Sequence, residues 1–280
     1  KLIKKQFDNL GYKTKIEIVK NIDKLSKNSN IKIINIDLIF NNPFKVKKNQ
    51  ASNFILDSLN LGHKLALDKK KTLGLINCPI NKELLKNKFV GVTEYFANKC
   101  KVKKNSEVML IKNEELSVSP ITTHINISKI SRSINKGKIV KKVKIIDLWF
   151  KKNLNIKPKI AILGLNPHNA EFRKNSEEVK IILPAIAKLK KQGINAKGPF
   201  VADTIFIKDY KKFDVIVGMY HDQIIAPFKS LFKFDAINMT LGLKYLRLSP
   251  DHGTASDIIF KNKADPYSLK KCIDTMINLR

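Results

Sequence analysis

The sequence predicts an α/β fold on a mostly parallel sheet. Three observations carry that prediction. Of the 280 residues, 43% are apolar and 28% charged, enough for a large packed core and unlike a disordered or coiled-coil chain. Short β-branched runs alternate with longer amphipathic stretches, the pattern of strands joined by crossover helices. No internal repeat or glycine-rich linker interrupts them, so any lobes should share continuous packing.

Residues 15–19 (KIEIV) and 31–40 (IKIINIDLIF) read as strands. Residues 51–70 read as a helix: Phe54, Leu56, Leu59, Leu61 and Leu65 recur at helical spacing and lysines close the segment. A buried-type strand follows at 73–80, stopped by Pro79, then a helix at 93–100 after a break at Gly91. Residues 108–111 and 116–124 are strands, and a basic helical zone covers 126–153. The segment 158–168 (PKIAILGLNPH) is a strand running into a loop. Residues 176–193 form a helix with a Ser176 cap, Glu177 and Glu178 in the first turn, and a stop at Gly193. Residues 214–223 are a strand entering a loop, and 236–243 and 245–253 are strands leaving into polar loops. Residues 254–260 and 265–279 are helices.

The formal net charge is +30, from 54 Lys+Arg against 24 Asp+Glu. That excess suits nucleic acid or an anionic surface. However, Arg132, Arg173, Arg247 and Arg280 are the only arginines, and base-edge reading leans on arginine. The lysines are spread along the chain, so the charge reads as solvated faces that also draw in anionic substrates at low salt. No specific nucleic-acid partner is expected. No apolar run reaches the ~18–20 residues of a membrane helix, and KLIKKQFDNL carries no signal-peptide stretch. Cys78, Cys100 and Cys272 are too few and scattered for a disulfide framework. A reducing, cytoplasmic setting is expected.

Of five histidines, His63 falls within a helical stretch and reads as structural. His124, His168, His221 and His252 each lie just past the carboxyl end of an expected strand, the edge where open parallel sheets bind ligands. Imidazoles there suit a borderline divalent ion, with Asp203 and Asp222 as nearby acids, although the spacing matches no local metal motif. Lys229, Asn238 and Arg247 sit in the same loops and could hold a phosphate. Arg247 lies in an otherwise apolar strand, where an unpaired charge is costly.

Six segments together resemble the 4-hydroxythreonine-4-phosphate dehydrogenase family of pyridoxal phosphate synthesis: TTHINI (122–127), LGLNPH (163–168), GPFVADTIF (198–206), GMYHDQIIAPFK (218–229), INMTLGLKYLR (237–247) and DHGTA (251–255). The similarity runs from about residue 50 to the C-terminus. It implies an isocitrate/isopropylmalate-dehydrogenase-like fold, two α/β/α lobes with an active-site cleft between them. Residues 1–120 plus 250–280 would form the first lobe, and 121–249 the second, with the metal site and dimer interface. It also implies a homodimer with shared active sites. His124, His168 and His221 would ligate one divalent ion (Zn, Mg or Co), the third ligand coming from the partner subunit. Thr93, Lys229, Asn238 and Arg247 fall on substrate-binding positions, and Asp203 and Asp222 match acids near the metal. His252, Gly253 and Thr254 lie in a segment that contacts NAD in related dehydrogenases.

The chain departs from the family pattern in three places. Gly91-Val92-Thr93-Glu94 stands where the family reads Gly-His-Thr-Glu, and valine cannot make the histidine's hydrogen bond to substrate. The loop after His168 (NAEFRKNSEE) is bulkier than the family's glycine-rich loop. The family's opening strand and Gly-Glu-Pro-x-Gly-Ile-Gly loop are not matched, which implies a start shortened relative to the family.

The activity implied is NAD(P)-dependent oxidation of 4-phosphohydroxy-L-threonine with decarboxylation to 3-amino-2-oxopropyl phosphate, with Asp222 or Asp203 as base. One alternative is a sister dehydrogenase for 4-phospho-D-threonate or 4-phospho-D-erythronate, differing near Val92. A second is a non-enzymatic basic binding protein on the same scaffold.

Overall fold

A computed structural model describes residues 1–85, 91–102 and 106–279. The chain opens with α1 (Leu2–Leu10) and two short strands, β1 (Ile16–Ile18) and β2 (Ile31–Ile33), which pair in parallel as a separate ribbon. Then come α2 (Lys48–Ala66), β3 (Gly74–Ile76), α3 (Val92–Lys99), β4 (Val108–Lys112), β5 (Ser117–Thr122), α4 (Ile130–Ser133) and α5 (Lys136–Leu154). They are followed by β6 (Ile160–Leu163), α6 (Leu183–Lys191), β7 (Ala196–Phe200), α7 (Ala202–Lys208), β8 (Val215–Tyr220) and α8 (His221–Phe232). The chain closes with β9 (Ile237–Leu241), β10 (Leu246–Pro250) and α9 (Tyr267–Asn278).

Eight strands form one sheet in the order β3-β10-β9-β4-β5-β8-β6-β7. The sheet is mixed, with four of its seven strand pairings parallel, β3 against β10 among them. β10 against β9, β9 against β4, and β4 against β5 run antiparallel, while β5, β8, β6 and β7 are mutually parallel. The reason is local: β4 and β5 are joined by only four residues, which permits a hairpin and forbids a parallel crossover. The Asn113 side chain closes that turn by accepting from the amides of Glu115 and Leu116 at 3.0 and 2.8 Å. Away from it the two strands separate in pairing, since direct partners are confined to Ile111–Val118 and Lys112–Ser117.

Both faces of the central strands are buried, which is why they read as continuous apolar runs. Val108, Leu110, Ile160, Ile162, Val215 and Val217 pack under α5, α6 and α9. Their alternates Met109, Ile111, Ala161, Leu163 and Ile216 pack on the other face with Ile205, Phe206, Ile224 and Phe228 of α7 and α8. The result is a three-layer sandwich. A third cluster under α2 and α3 includes Leu59, Leu85, Tyr95, Phe96 and Tyr245.

Several elements differ from their sequence-based extents. The strand expected over 31–40 stops at Ile33, and that over 73–80 covers only Gly74–Ile76. The helix expected over 254–260 is a single 3-10 turn at Ser256–Ile258. Ala255 and Phe260 flank it with φ of 49° and 66°, left-handed values that end a right-handed helix. The segment after β8 is no loop, because His221 is already the first residue of α8. The four histidines do not share one sheet edge either. β10 runs opposite to β5, β6 and β8, so His252 leaves from the other end.

Candidate functional site

The site begins with Arg247, which β10 carries into the protein with only 3% of its surface exposed. Its Nε donates to Asn77 Oδ1 at 2.7 Å and its Nη1 to Thr240 Oγ1 at 3.0 Å. Thr240 is its register partner on β9, and the Thr93 hydroxyl lies 3.5 Å from that of Thr240. Burial pushes the Arg247 guanidinium down to about 10, so it remains charged at neutral pH. Among the described residues no carboxylate lies within ion-pair distance of it. A desolvated cation held by neutral partners is expensive unless an anion joins it.

A cavity of about 300 Å³ opens beside Arg247. Lys229 lines it from α8, with Nζ 3.2 Å from Asp251 Oδ2 and 5.4 Å from the Phe234 ring centroid. Burial raises the Asp251 carboxyl, and the Lys229 charge works against that shift. Asn238 lines it from β9, and its Oδ1 is buried with no hydrogen-bond partner among the described residues. Thr93, Val92, His124, His252 and Gly253 also line it. Seven of the sequence-nominated residues therefore share one cavity. Thr254 is exposed outside its lining, and His252 Nδ1 lies 2.9 Å from the carbonyl of Gly253. A second cavity of about 630 Å³ shares His252, Gly253 and Phe234 with it and extends toward Ile258 and Tyr267.

Two of the three nominated metal ligands come together. The rings of His124 and His221 lie 5.7 Å apart between centroids. His221 Nδ1 sits 2.7 Å from Asp222 Oδ1, and His124 Nδ1 sits 3.4 Å from Glu94 Oε1. In the tautomer that donates from Nδ1 to its carboxylate, each ring leaves Nε2 as a lone pair for a cation. That donor set fits a borderline divalent ion.

His168 joins neither ring. Its Nε2 is 3.8 Å from Asp203 Oδ2 and its Nδ1 is 3.8 Å from Glu171 Oε1, with 71% of the side chain exposed. Its loop is held by Glu178, which accepts from the amides of Leu165 and Asn166 at 2.8 Å each. Burial alone would raise Glu178, but these amide donors outweigh it and hold the carboxyl below its usual range. His168 through Phe172 all have left-handed φ, between 44° and 57°, with no glycine among them. Among the described residues no three His, Cys, Asp or Glu side chains converge on one point. One chain thus supplies His124 and His221 on one side and an outward-facing His168 on the other.

Sequence reasoning missed Asn77, Thr240, Glu94 and Asp251. Thr240 carried a signal, being a polar residue in the apolar run of β9. Glu94 and Asp251 lie inside the GVTE and DHG segments but drew no role of their own. Asn77 carried none.

The model of the family "Pyridoxal phosphate biosynthetic protein PdxA" matches residues 1–276. A 4-hydroxythreonine-4-phosphate dehydrogenase from Sulfurihydrogenibium sp. (strain YO3AOP1) is 43% identical over 217 residues, 76% of this chain and 66% of that protein. A D-threonate 4-phosphate dehydrogenase from Pectobacterium atrosepticum is 33% identical over 210 residues, 73% of this chain and 64% of that protein. The crystal structure of 4-hydroxythreonine-4-phosphate dehydrogenase from Klebsiella pneumoniae superposes with a TM-score of 0.79 at 29% identity, covering 95% of this chain and 83% of that one. The matched stretch thus spans just under two thirds of these curated relatives.

Proposed function

The chain belongs to the family of the pyridoxal phosphate biosynthetic protein PdxA, and on that premise we propose that it is a dehydrogenase. It oxidises 4-phosphohydroxy-L-threonine with NAD or NADP and releases 3-amino-2-oxopropyl phosphate and CO2. The observation that carries this reading is the single cavity joining Arg247, Lys229 and the unpartnered Asn238 to Thr93 and His124.

The phosphate goes to Arg247 and Lys229, whose charges it would neutralise, and this remote binding energy positions the reacting carbons. Asp251 holds Lys229 in place until the phosphate arrives. Asn238 and Thr93 supply neutral hydrogen bonds to the rest of the substrate. Asp222 or Asp203 accepts the hydroxyl proton as hydride leaves the same carbon. The product is a β-keto acid, which loses CO2. When bound, a divalent ion held by His124 and His221 supplies Lewis acidity, and the nicotinamide cofactor supplies the hydride acceptor.

His252, Gly253 and the adjoining larger cavity form the cofactor end, with Thr254 next in the chain. His168 reaches the ion of a second copy, which makes the working unit a homodimer with shared sites. Residues 1–120 plus 250–280 and residues 121–249 are the two lobes of this reading. The setting is cytoplasmic; among the described residues no helix is long and apolar enough to cross a membrane.

The second reading is turnover of 4-phospho-D-threonate or 4-phospho-D-erythronate. Val92 on the cavity wall favours it, since an aliphatic side chain there offers no hydrogen bond. Steady-state assays with each substrate separate the two. Exclusive turnover of threonate or erythronate phosphate removes the first, and absence of NAD(P)H from all three removes the dehydrogenase reading.

A further inference from the structure

The carboxylate beside His124 belongs to no sequence-nominated set. We propose that Glu94 is the positioning residue for His124: it accepts the Nδ1–H of the imidazole and so presents Nε2 to the cleft. The inference rests on the reading above for the use of Nε2, but its geometry stands alone.

Glu94 lies in the first turn of α3, where the helix N-terminus favours an ionised side chain. Its Oε1 is 3.4 Å from His124 Nδ1. Both side chains are about a quarter exposed, 27% and 28%. An ion pair this exposed contributes little to stability, so stability alone gives no reason for the arrangement. The backbone beneath is shaped around it. Gly91 sits so close that a Cβ built on it would lie 2.9 Å from Glu94 Oε2 and 3.9 Å from His124 Cε1. Gly91 has φ −168°, an extended value open to any residue, so a side chain there would meet no backbone strain and would act only by pushing the Glu94 carboxylate aside.

His124 itself has φ 43°, a left-handed value in which histidine, like asparagine and aspartate, is enriched among non-glycine residues. The neighbouring ring repeats the device, with His221 Nδ1 on Asp222 at 2.7 Å. Two adjacent imidazoles, each with Nδ1 turned to its own carboxylate, leave both Nε2 atoms free. A neutral histidine without such a partner favours the proton on Nε2, the atom needed as a lone pair, so the carboxylate selects the useful tautomer.

The test reads ring-nitrogen chemical shifts by NMR on the full chain without metal. Five histidines make the spectrum tractable, and His124→Gln identifies the resonance. Wild type is expected to carry the His124 proton on Nδ1. Glu94→Ala is expected to move it to Nε2, and Gly91→Ala to do the same by displacing the carboxylate. Glu94→Gln, whose amide oxygen accepts the same bond, is expected to keep the wild-type tautomer. Titration with Zn²⁺ alone should show about 10- to 100-fold weaker binding in Glu94→Ala. A proton on Nε2 in wild type, or a wild-type tautomer in both Glu94→Ala and Gly91→Ala, overturns the proposal. If the tautomer shifts as stated while wild type takes up no Zn²⁺, the positioning role stands and the cation reading falls.

Discussion

The two ends of the cleft are built to different degrees. At the anion end, Arg247 is buried, fixed by Asn77 and Thr240, and set in an enclosed wall with Asn238. At the imidazole end, His124 and His221 are oriented but partly exposed, and His168 faces outward on a separate loop. The proposed phosphate residues of the first end, Arg247, Lys229 and Asn238, all come from one chain. In the proposed function the second offers two of its three cation ligands here and one on the separate His168 loop, which a second copy would bring in. A cation that must be reached from two chains cannot be sealed inside either one.

The largest single-site effect should come from the finished end. Arg247→Ala is expected to raise KM for the phosphorylated substrate on the order of 100-fold, the loss of a charge-assisted pair worth ~2–5 kcal/mol. Its melting temperature should hold or rise, because an unpaired desolvated charge has been removed. Steady-state kinetics and calorimetry read both, and an unchanged KM would break the assignment of this end.

A second buried cation sharpens the contrast. Lys142 on α5 is 4% exposed and lines none of the cavities described above. Burial lowers it to about 8 from an ordinary 10.5, with Glu107 and Glu94 opposing the shift. The folded chain therefore releases this proton before the unfolded chain does. The penalty is fully present below about pH 8 and is relieved as pH rises from 8 to 10.5. Lys142→Met should stabilise the protein at pH 7 by up to about 3 kcal/mol and flatten stability across that window. Denaturant melts at pH 7 and 10 test it, and unlike Arg247→Ala it should leave KM alone.

The smallest effect concerns the unfinished end. Ala170 holds φ 49° in the left-handed turn after His168. Ala170→Gly removes the steric cost of that conformation, roughly 1 kcal/mol offset in part by glycine's added chain entropy. A gain of a few tenths to 1 kcal/mol in urea melts is expected, and a loss would mean the turn adopts another backbone.

The central strands were legible because burial on both faces leaves β-branched runs such as IAIL in β6 and VIVG in β8. The short strands β2 and β3 were overextended, since apolar content marks a run but not where its hydrogen-bond partner ends. The hairpin between β4 and β5 was the hidden fact. It reverses the direction of β4, and through β9 and β10 it carries His252 to the opposite edge. Arg247 stood out as a charge in an apolar strand. Glu94 and Asn77 did not, because their significance depends on register and proximity that no linear pattern records. Motif resemblance nominated Thr93, whereas Lys229 and Asn238 were already marked by their place beside the histidine-bearing segments.

A cation site shared between two copies is tested most directly by Zn²⁺ stoichiometry in mixed variants. His124→Ala and His168→Ala chains are each expected to bind no Zn²⁺ alone. Unfolded together and refolded as a mixture, they should regain it, because each mixed dimer restores one intact set from His124 and His221 of one chain and His168 of the other. Full binding by His168→Ala alone, or no recovery in the mixture, would contradict the account.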